Sequence, residues 1–345
     1  MNDPQAWIQR LLNLGFAIQR HLHGILIKGE DGLALPIGFA GGDTIFEIDR
    51  HVEPIIEREI NAWPSECKPL VLIAEGMGQD GRLTFGPTEL PPRFRVIVDP
   101  IDGTRNLMYD KRSAWFIAAI AEDGGEHTQL SDSFAAVLVE LPTSKQIRCD
   151  AYSATRNVAT TGIRTQIGGG NARPWPPRPS TASTLKFGFG EVSSFFPGTK
   201  ALAADLIERI AAETLGMIEP GQSSLFDDQY ISTGGQMVEL MAGHDRFCCD
   251  LRPLFYRILQ QQSPGLAVIR GLECHPYDVA GTLVASQAGV VITDGFGRPL
   301  QIPYDVHTGV HWCGFGNETL AKSIQPIITR WLAEHGVTSD SGGLS

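Results

Sequence analysis

The sequence predicts an α/β protein in which helices pack against a β-sheet. Apolar residues recur at helical spacing between Trp7 and Phe16, which predicts an amphipathic helix near the N-terminus. Short apolar runs between residues 70 and 141 have the length and the β-branched content that are typical of strands. Further helical patterns follow in the second half of the chain, so strands and helices share one fold.

The elements of the first half follow from these patterns. Asp3 and Pro4 have the residue types of an N-cap and a first helical position, so the first helix begins there. A second helix is predicted to begin near Asp49 or, because proline is unfavourable inside a helix, nearer to Pro54. Strands are predicted at residues 70–74, 94–98, 115–121 and 133–141.

A Pro- and Gly-rich passage at residues 168–184 has the composition of a linker or a long surface excursion. We therefore predict two α/β parts, residues 1–175 and 176–345. In the second part we predict a strand at 185–190 and helices within 198–216, 234–244 and 317–336.

Composition limits the functional classes. The chain has 345 residues, of which 42% are hydrophobic and 19% charged, as expected for a folded protein. Its formal net charge of −11 argues against nucleic-acid polymers and anionic membranes as partners. The first residues lack the pattern of a signal peptide, and no apolar run approaches the roughly 20 residues that span a bilayer. We expect a cytoplasmic protein whose six cysteines are packing residues.

The stretch VIVDPIDGTRNLMYD places Asp99 and Asp102 at the end of a predicted strand. Two carboxylates and a carbonyl at one turn are ligands that suit a hard cation such as Mg²⁺. Gly103 and Thr104 follow, and a Gly-containing turn that leads into a helix can hold an anion with its backbone N–H groups. The alternative is an ordinary turn, since Asp, Pro and Gly are the residues that turns favour.

Two other segments also carry acids at the ends of predicted elements. Glu75 follows the strand at 70–74, and Asp278 precedes a predicted helix of small residues. With DPIDGT, the segments VLIAEG, HPYDVAGTLVASQAGVVITD and FEIDRHVEPIIEREI resemble the ordered motifs of the inositol monophosphatase family, from about residue 40 to 330. The resemblance implies a layered α-β-α-β-α sandwich of the inositol monophosphatase and fructose bisphosphatase type.

The resemblance also implies a Mg²⁺-dependent hydrolase of phosphate monoesters, with two or three bound ions. It implies that the ions are held by Glu75, Asp99, the Ile101 carbonyl, Asp102 and Asp278. Asp49 and Thr104, together with Glu75, would activate the attacking water, and the backbone of Gly103 and Thr104 would bind the phosphate. For Asp49 alone, capping of a helix N-terminus is an equally good interpretation.

The segment ISTGGQMVELMAGHDRFCCDLRP resembles the family's Gly-rich turn, helix and substrate-binding strand, which suggests Gly234, Gly235 and Asp250 as substrate-binding residues. Two departures concern the metal site and its neighbourhood: Gly76 stands where the family usually has a second acid, and Tyr277 where it has Trp. One role for Arg246 and Arg252 is to bind a second anionic group of the substrate. We favour the alternative, in which they form solvated ion pairs with Asp245 or Asp250.

The predicted partner is a small phosphorylated substrate, either an inositol-like or sugar monophosphate or, alternatively, a sugar bisphosphate or a bisphosphorylated nucleotide. An alternative of another class is a metal- or phosphate-binding regulator without turnover. A homodimer is common among the relatives that the resemblance implies.

Overall fold

The computed structural model describes residues 3–40, 43–217, 221–265 and 271–339. The helices are α1 Pro4–Lys28, α2 Glu47–Arg50, α3 Glu53–Asn61, α4 Thr104–Leu107, α5 Lys200–Leu215, α6 Thr233–Ala242, α7 Arg252–Gln262, α8 Thr282–Gln287 and α9 Glu318–Glu334. The strands are β1 Pro36–Ala40, β2 Asp43–Phe46, β3 Leu70–Ala74, β4 Arg82–Phe85, β5 Phe94–Asp102, β6 Ala114–Glu122, β7 Ala135–Leu141, β8 Arg148–Thr155, β9 Thr161–Gln166, β10 Gly170–Pro174, β11 Gly188–Val192, β12 Leu225–Phe226, β13 Asp245–Asp250, β14 Val291–Thr293 and β15 Trp312–Phe315.

Two large sheets dominate the fold. The larger has eight strands in the order β10-β9-β8-β7-β6-β5-β3-β4, and within it only β3 and β5 run parallel. The smaller has five strands in the order β12-β11-β13-β15-β14. A separate hairpin joins β1 and β2. The described strands of the larger sheet all precede residue 176 and those of the smaller sheet all follow it.

Three apolar clusters show how the layers stack. One packs α1 and α3 against one face of the larger sheet, through side chains such as Trp7, Leu11 and Ile56. A second joins the other face to α6, α8 and the smaller sheet, and includes Met237 and Val284. A third packs α5, α7 and α9 on the far face of the smaller sheet. The layer order is α-β-α-β-α, which confirms the predicted fold class.

Several predicted elements have different bounds in the structure. The single helix expected near Asp49 is two helices, α2 and α3, and Pro54 lies in the first turn of α3, where it breaks no hydrogen bond. The strand predicted at 185–190 begins at Gly188, because Phe187 adopts a φ of 60°, outside the extended region. Within the passage predicted as a linker, β10 forms an edge strand on β9.

The six cysteines are free and buried, as packing residues are. Among the described residues, no helix is both long and apolar enough to cross a membrane.

Candidate active site

Glu75 and Asp99 lie at the same end of two neighbouring strands of the larger sheet. Strands β3 and β5 are parallel neighbours, with Ala74 opposite Val98. The next residue on each strand is an acid, so the two carboxyl groups come to the same end of the sheet. A parallel pair of strands produces this arrangement directly, because both chains run in the same direction.

A β-bulge brings Asp102 to the same side of the sheet as Asp99. In a regular strand, residues three apart face opposite sides. Here Asp99 is opposite Ile117 and Asp102 is opposite Trp115, so three steps on β5 match two steps on β6. Because of this extra residue, the Asp102 side chain faces the same side of the sheet as that of Asp99. The strand predicted at 94–98 is therefore too short, because in the structure β5 continues through the bulge to Asp102.

Asp278 completes a cluster of carboxylates. Carboxylate oxygens of Asp99, Asp102 and Asp278 all lie within 4.8 Å of one another. Asp278 comes from the turn that precedes α8, where the backbone N–H of His275 donates to its carboxylate at 2.6 Å. Asp99 and Asp102 are only 8% and 5% exposed, so solvent screens their charges poorly.

Burial, together with the repulsion among neighbouring carboxylates, raises the pKa values of these acids. Burial, followed by the charges of Asp102 and Asp278, raises the pKa of Asp99 well above its usual value. Burial raises the pKa of Asp102 to about 6, although hydrogen bonds from Ser232 and Gly234 oppose the shift. Burial and the charge of Asp102 raise the pKa of Asp278 as well. A bound cation removes this repulsion, and an all-oxygen ligand set fits Mg²⁺.

Asp102 is held by the start of α6. It accepts hydrogen bonds from the Ser232 hydroxyl at 2.7 Å and from the backbone N–H groups of Thr233 at 3.1 Å and Gly234 at 2.6 Å. A Cβ on Gly234 would lie 3.0 Å from the Asp102 carboxylate and 2.9 Å from the Ile117 side chain, so a larger residue has no room there. The N-terminus of α6 thus fixes one member of the cluster.

The predicted substrate-binding residues Gly234 and Gly235 lie in the first turn of α6, next to Asp102. Gly234 donates its N–H to Asp102, and the N–H of Gly235 donates to the Ser232 hydroxyl at 2.9 Å. Neither glycine lines the cavity beside the cluster, whereas Ser232 and Thr233 do.

Thr104 and Asp49 meet beside the bulge. The Thr104 hydroxyl lies 2.8 Å from the Ile101 carbonyl and 3.4 Å from one carboxylate oxygen of Asp49. The other Asp49 oxygen accepts the backbone N–H of Phe46 at 2.8 Å, at the start of α2. Asp49 therefore caps the start of α2 and also lies beside the Thr104 hydroxyl.

Gly103 gives the turn its shape. Its φ of 97° lies in a region that glycine adopts readily, and a Cβ there would lie 2.9 Å from the Ile231 carbonyl. The turn consequently packs closely against the segment that leads into α6. Both Gly103 and Thr104 line the cavity.

The cavity beside the acids has a volume of about 100 Å³. Besides the acids, its wall contains two arginines and two phenylalanines, namely Arg105, Arg252, Phe195 and Phe196. Arg105 lies 5.2 Å and Arg252 5.7 Å from the centre of the Phe196 ring. These distances are in the range of cation–π contacts. The cavity therefore joins an acidic cluster to two cationic side chains.

Asp250 supports Arg252 instead of lining the cavity. It is fully buried and accepts from Nε of Arg252 at 2.9 Å and from a terminal nitrogen at 2.5 Å. Arg252 also donates to the Leu272 carbonyl at 3.0 Å. The sequence suggested a solvated ion pair of these two residues, but the pair is buried, because α7 begins just after β13.

Tyr277 contacts the predicted metal ligand Glu75 through its hydroxyl. The same hydroxyl lies 3.3 Å from Nδ1 of His275, and the two rings stack with centres 5.4 Å apart. The residue that departs from the family pattern thus lies within the site. Glu75, His275 and Tyr277 all line the cavity.

A smaller adjoining cavity of about 80 Å³ shares Glu75, Asp99 and Thr104 with the first. Gly76 lines it, as do Asp49 and Glu53, which are four residues apart. Although residue 76 is a glycine and not an acid, this cavity therefore still contains the carboxyl groups of Asp49 and Glu53.

Sequence reasoning missed Arg105, Phe195, Phe196 and Glu273 in the cavity wall. Arg105 had a signal, since it follows Thr104 directly in the turn. The paired phenylalanines lie in an irregular segment after β11, where no periodicity points to a cavity.

Comparisons with known proteins identify the fold. No protein-family model matches the chain, and no curated protein matches its sequence. Among solved structures, a Pyrococcus horikoshii protein described as similar to inositol-1 monophosphatase has a TM-score of 0.60 at 14% identity, covering 94% of this chain and 98% of that chain. The Thermotoga maritima IMPase has a TM-score of 0.57 at 17% identity, covering 94% and 99%. The Leishmania major fructose-1,6-bisphosphatase has a TM-score of 0.62 at 13% identity, covering 95% of each chain. The fold is that of inositol monophosphatases and fructose bisphosphatases.

Proposed function

We propose that the protein hydrolyses a phosphate monoester of a small metabolite with Mg²⁺ as its cofactor. The observation that carries this proposal is the buried cluster of Asp99, Asp102 and Asp278 beside the contact between Thr104 and Asp49. Three acids with raised pKa values fit a divalent cation, and a hydroxyl next to them fits a reaction in which water attacks phosphorus. The names of the solved structures with this fold, which include a monophosphatase and a bisphosphatase, support the same class.

In this proposal Glu75, Asp99, the Ile101 carbonyl, Asp102 and Asp278 hold two or three ions. When bound, the ions neutralise phosphate charge and make water a stronger acid. The Thr104 hydroxyl would take a proton from the attacking water as its own proton passes to the Asp49 carboxylate, 3.4 Å away. Gly103 and Thr104 bind phosphate oxygens through their N–H groups. Glu75 joins Thr104 and Asp49 in orienting the water.

A bisphosphorylated substrate is the second candidate. Arg105 and Arg252 line the same cavity as the acids, and guanidinium groups suit a second phosphate. A sugar bisphosphate or a bisphosphorylated nucleotide would place one phosphate at the acids and the other at an arginine. With a monophosphate, the two arginines would instead form hydrogen bonds with the polar body of the substrate.

Phosphate release should be measured over a panel of inositol, sugar and nucleotide mono- and bisphosphates, with Mg²⁺ and with excess EDTA. We expect turnover of at least one compound, abolished by EDTA and restored by Mg²⁺. No turnover of any compound by a protein that binds Mg²⁺ in calorimetry would favour the non-catalytic regulator.

The choice between the two substrate classes rests on Arg105 and Arg252. Arg105→Gln should lower kcat/KM for a bisphosphate about tenfold or more and change the monophosphate less, because one charge-assisted hydrogen bond contributes about 1.5–3 kcal/mol. Arg105 is the better choice because loss of Arg252 leaves the buried Asp250 without its partner. An equal loss for both substrates would contradict the bisphosphate assignment.

A further inference from the structure

We propose that a second cavity, separate from the candidate active site, binds a small phosphorylated ligand with a hydroxylated body. The cavity lies between α6 and strands β6–β10 of the larger sheet and has a volume of about 420 Å³. Sites for small molecules are commonly about 300–1,000 Å³. None of the residues that line it also lines the cavity beside Asp99.

Its charge is opposite to that of the chain. The chain carries a formal net charge of −11, but five arginines line this cavity. Only three carboxylates accompany them, on Glu140, Asp150 and Glu239. A concentration of guanidinium groups in one concave surface of an acidic protein attracts anions selectively.

Two of the arginines are already paired. Arg164 donates to both carboxylate oxygens of Asp150 at 2.6 Å, and Arg112 pairs with Asp228 at 2.9 Å and Glu239 at 3.2 Å.

The other three, Arg148, Arg173 and Arg178, form no ion pair with any carboxylate of the described residues. All three are exposed and come from separate segments, namely the start of β8, β10 and the chain after β10. They form a cationic rim, and the arginine fork matches phosphate oxygens in pairs.

Aromatic rings contact three of the five guanidinium groups, including that of the rim residue Arg173. Arg164 lies 3.7 Å and Arg173 5.0 Å from the centre of the Trp175 ring, and Arg112 lies 3.5 Å from that of Tyr230. Stacked guanidinium groups lose little further freedom when a ligand binds. The wall is therefore preorganised.

The same cavity also offers hydrogen-bond acceptors. Glu140 accepts from Gln146 at 2.7 Å and from the backbone of Asp150 at 3.0 Å. A carboxylate has about four acceptor sites, so Glu140 and Asp150 can each accept more hydrogen bonds. Hydroxyl groups on the body of a ligand meet this requirement, which is why we infer a sugar phosphate rather than a bare anion.

The test is calorimetric titration of the full chain in excess EDTA, which removes metal-dependent phosphate binding. The probes are inorganic phosphate and ribose 5-phosphate. The rim variant is Arg148→Gln with Arg173→Gln and Arg178→Gln. The matched control, Arg20→Gln with Lys28→Gln and Lys322→Gln, removes the same charge from exposed helical positions. Arg105→Gln reports on the active-site cavity.

We expect ribose 5-phosphate to bind one site per chain, more tightly than inorganic phosphate. Affinity should fall at least about tenfold in the rim variant, since each charge-assisted hydrogen bond corresponds to about that factor or more. It should be unchanged in the control and in Arg105→Gln. No binding to the parent, an equal loss in the control, or a loss in Arg105→Gln would each overturn the proposal.

Discussion

Removing the Mg²⁺ that we propose the cluster binds should make the stability of the protein fall as pH rises, because the buried acids then lose their protons without solvation and repel one another. The folded-state pKa of Asp102 is about 6, against a usual value of 3.8. An acid whose pKa is raised by folding stabilises the protein below its usual pKa, and this contribution is lost as pH rises through the folded value. The loss therefore occurs between about pH 4 and pH 7.

The size of the effect follows from the same difference. The difference between about 6 and 3.8 corresponds to about 3 kcal/mol of unfolding free energy. For a chain of 345 residues the full difference is a shift of about 4 °C in the midpoint of thermal unfolding, of which about half occurs above pH 5. Asp99 and Asp278, whose pKa values are raised in the same direction, add to it.

The assay is thermal unfolding from pH 5 to pH 8, in EDTA and in Mg²⁺. We expect the midpoint in EDTA to fall with pH, and the stabilisation by Mg²⁺ to grow with pH, because the cation replaces protons in the cluster. Burial also raises the pKa of Asp245 to about 7, so this residue contributes to the slope of every variant.

Asp99→Asn isolates the contribution of the cluster, since an uncharged amide replaces the central carboxylate. In EDTA at pH 8 this variant should unfold at a higher temperature than the parent, and Mg²⁺ should stabilise it less. A parent whose midpoint in EDTA is constant or rises between pH 5 and pH 8, with no effect of Mg²⁺, would refute the reasoning.

Three further predictions concern single features of the site. Thr104→Ala should lower kcat by on the order of a hundredfold to ten-thousandfold, while folding and the Mg²⁺ affinity measured by calorimetry stay near those of the parent. Adding Asp49→Asn should lower kcat little further, because the two residues act as a unit. Turnover within a few-fold of the parent would contradict this role. Tyr277→Phe removes the hydroxyl that contacts Glu75 and His275. Mg²⁺ affinity should therefore fall, while the free energy of unfolding decreases by only about 1–2 kcal/mol. An unchanged Mg²⁺ affinity would argue against a positioning role. Ca²⁺ should inhibit turnover in Mg²⁺, because its larger and looser coordination positions the reactants poorly, and equal rates with either ion would exclude this account.

Local patterns predicted the elements that carry the acids. The apolar runs of β3 and β5 are followed by Glu75 and Asp99, and their parallel pairing confirms that both acids lie at the same end of two neighbouring strands. The periodicities of α1, α5 and α9 likewise agree with the structure, because each helix buries one apolar face, whereas α6 is buried on nearly every side.

Features that depend on distant partners could not be predicted in this way. The bulge between Asp99 and Asp102 arises from the pairing of β5 with β6, which no local pattern encodes. The burial of Asp250 with Arg252 follows from packing around α7, so the sequence suggested a solvated pair instead. The N–H of Gly234 faces Asp102 only because two segments about 130 residues apart meet.

The central claim, that the three-acid cluster binds the cofactor of a phosphatase, is tested most directly by Asp278→Asn. This residue joins the cluster from a motif that matches the family pattern less closely than DPIDGT does. Asp31→Asn, at an exposed position, is the matched control. Mg²⁺ affinity by calorimetry and Mg²⁺-dependent phosphate release should be measured on the same preparations. We predict that Asp278→Asn loses both together while Asp31→Asn keeps both; an Asp278→Asn protein that releases phosphate and binds Mg²⁺ as the parent does would contradict the claim.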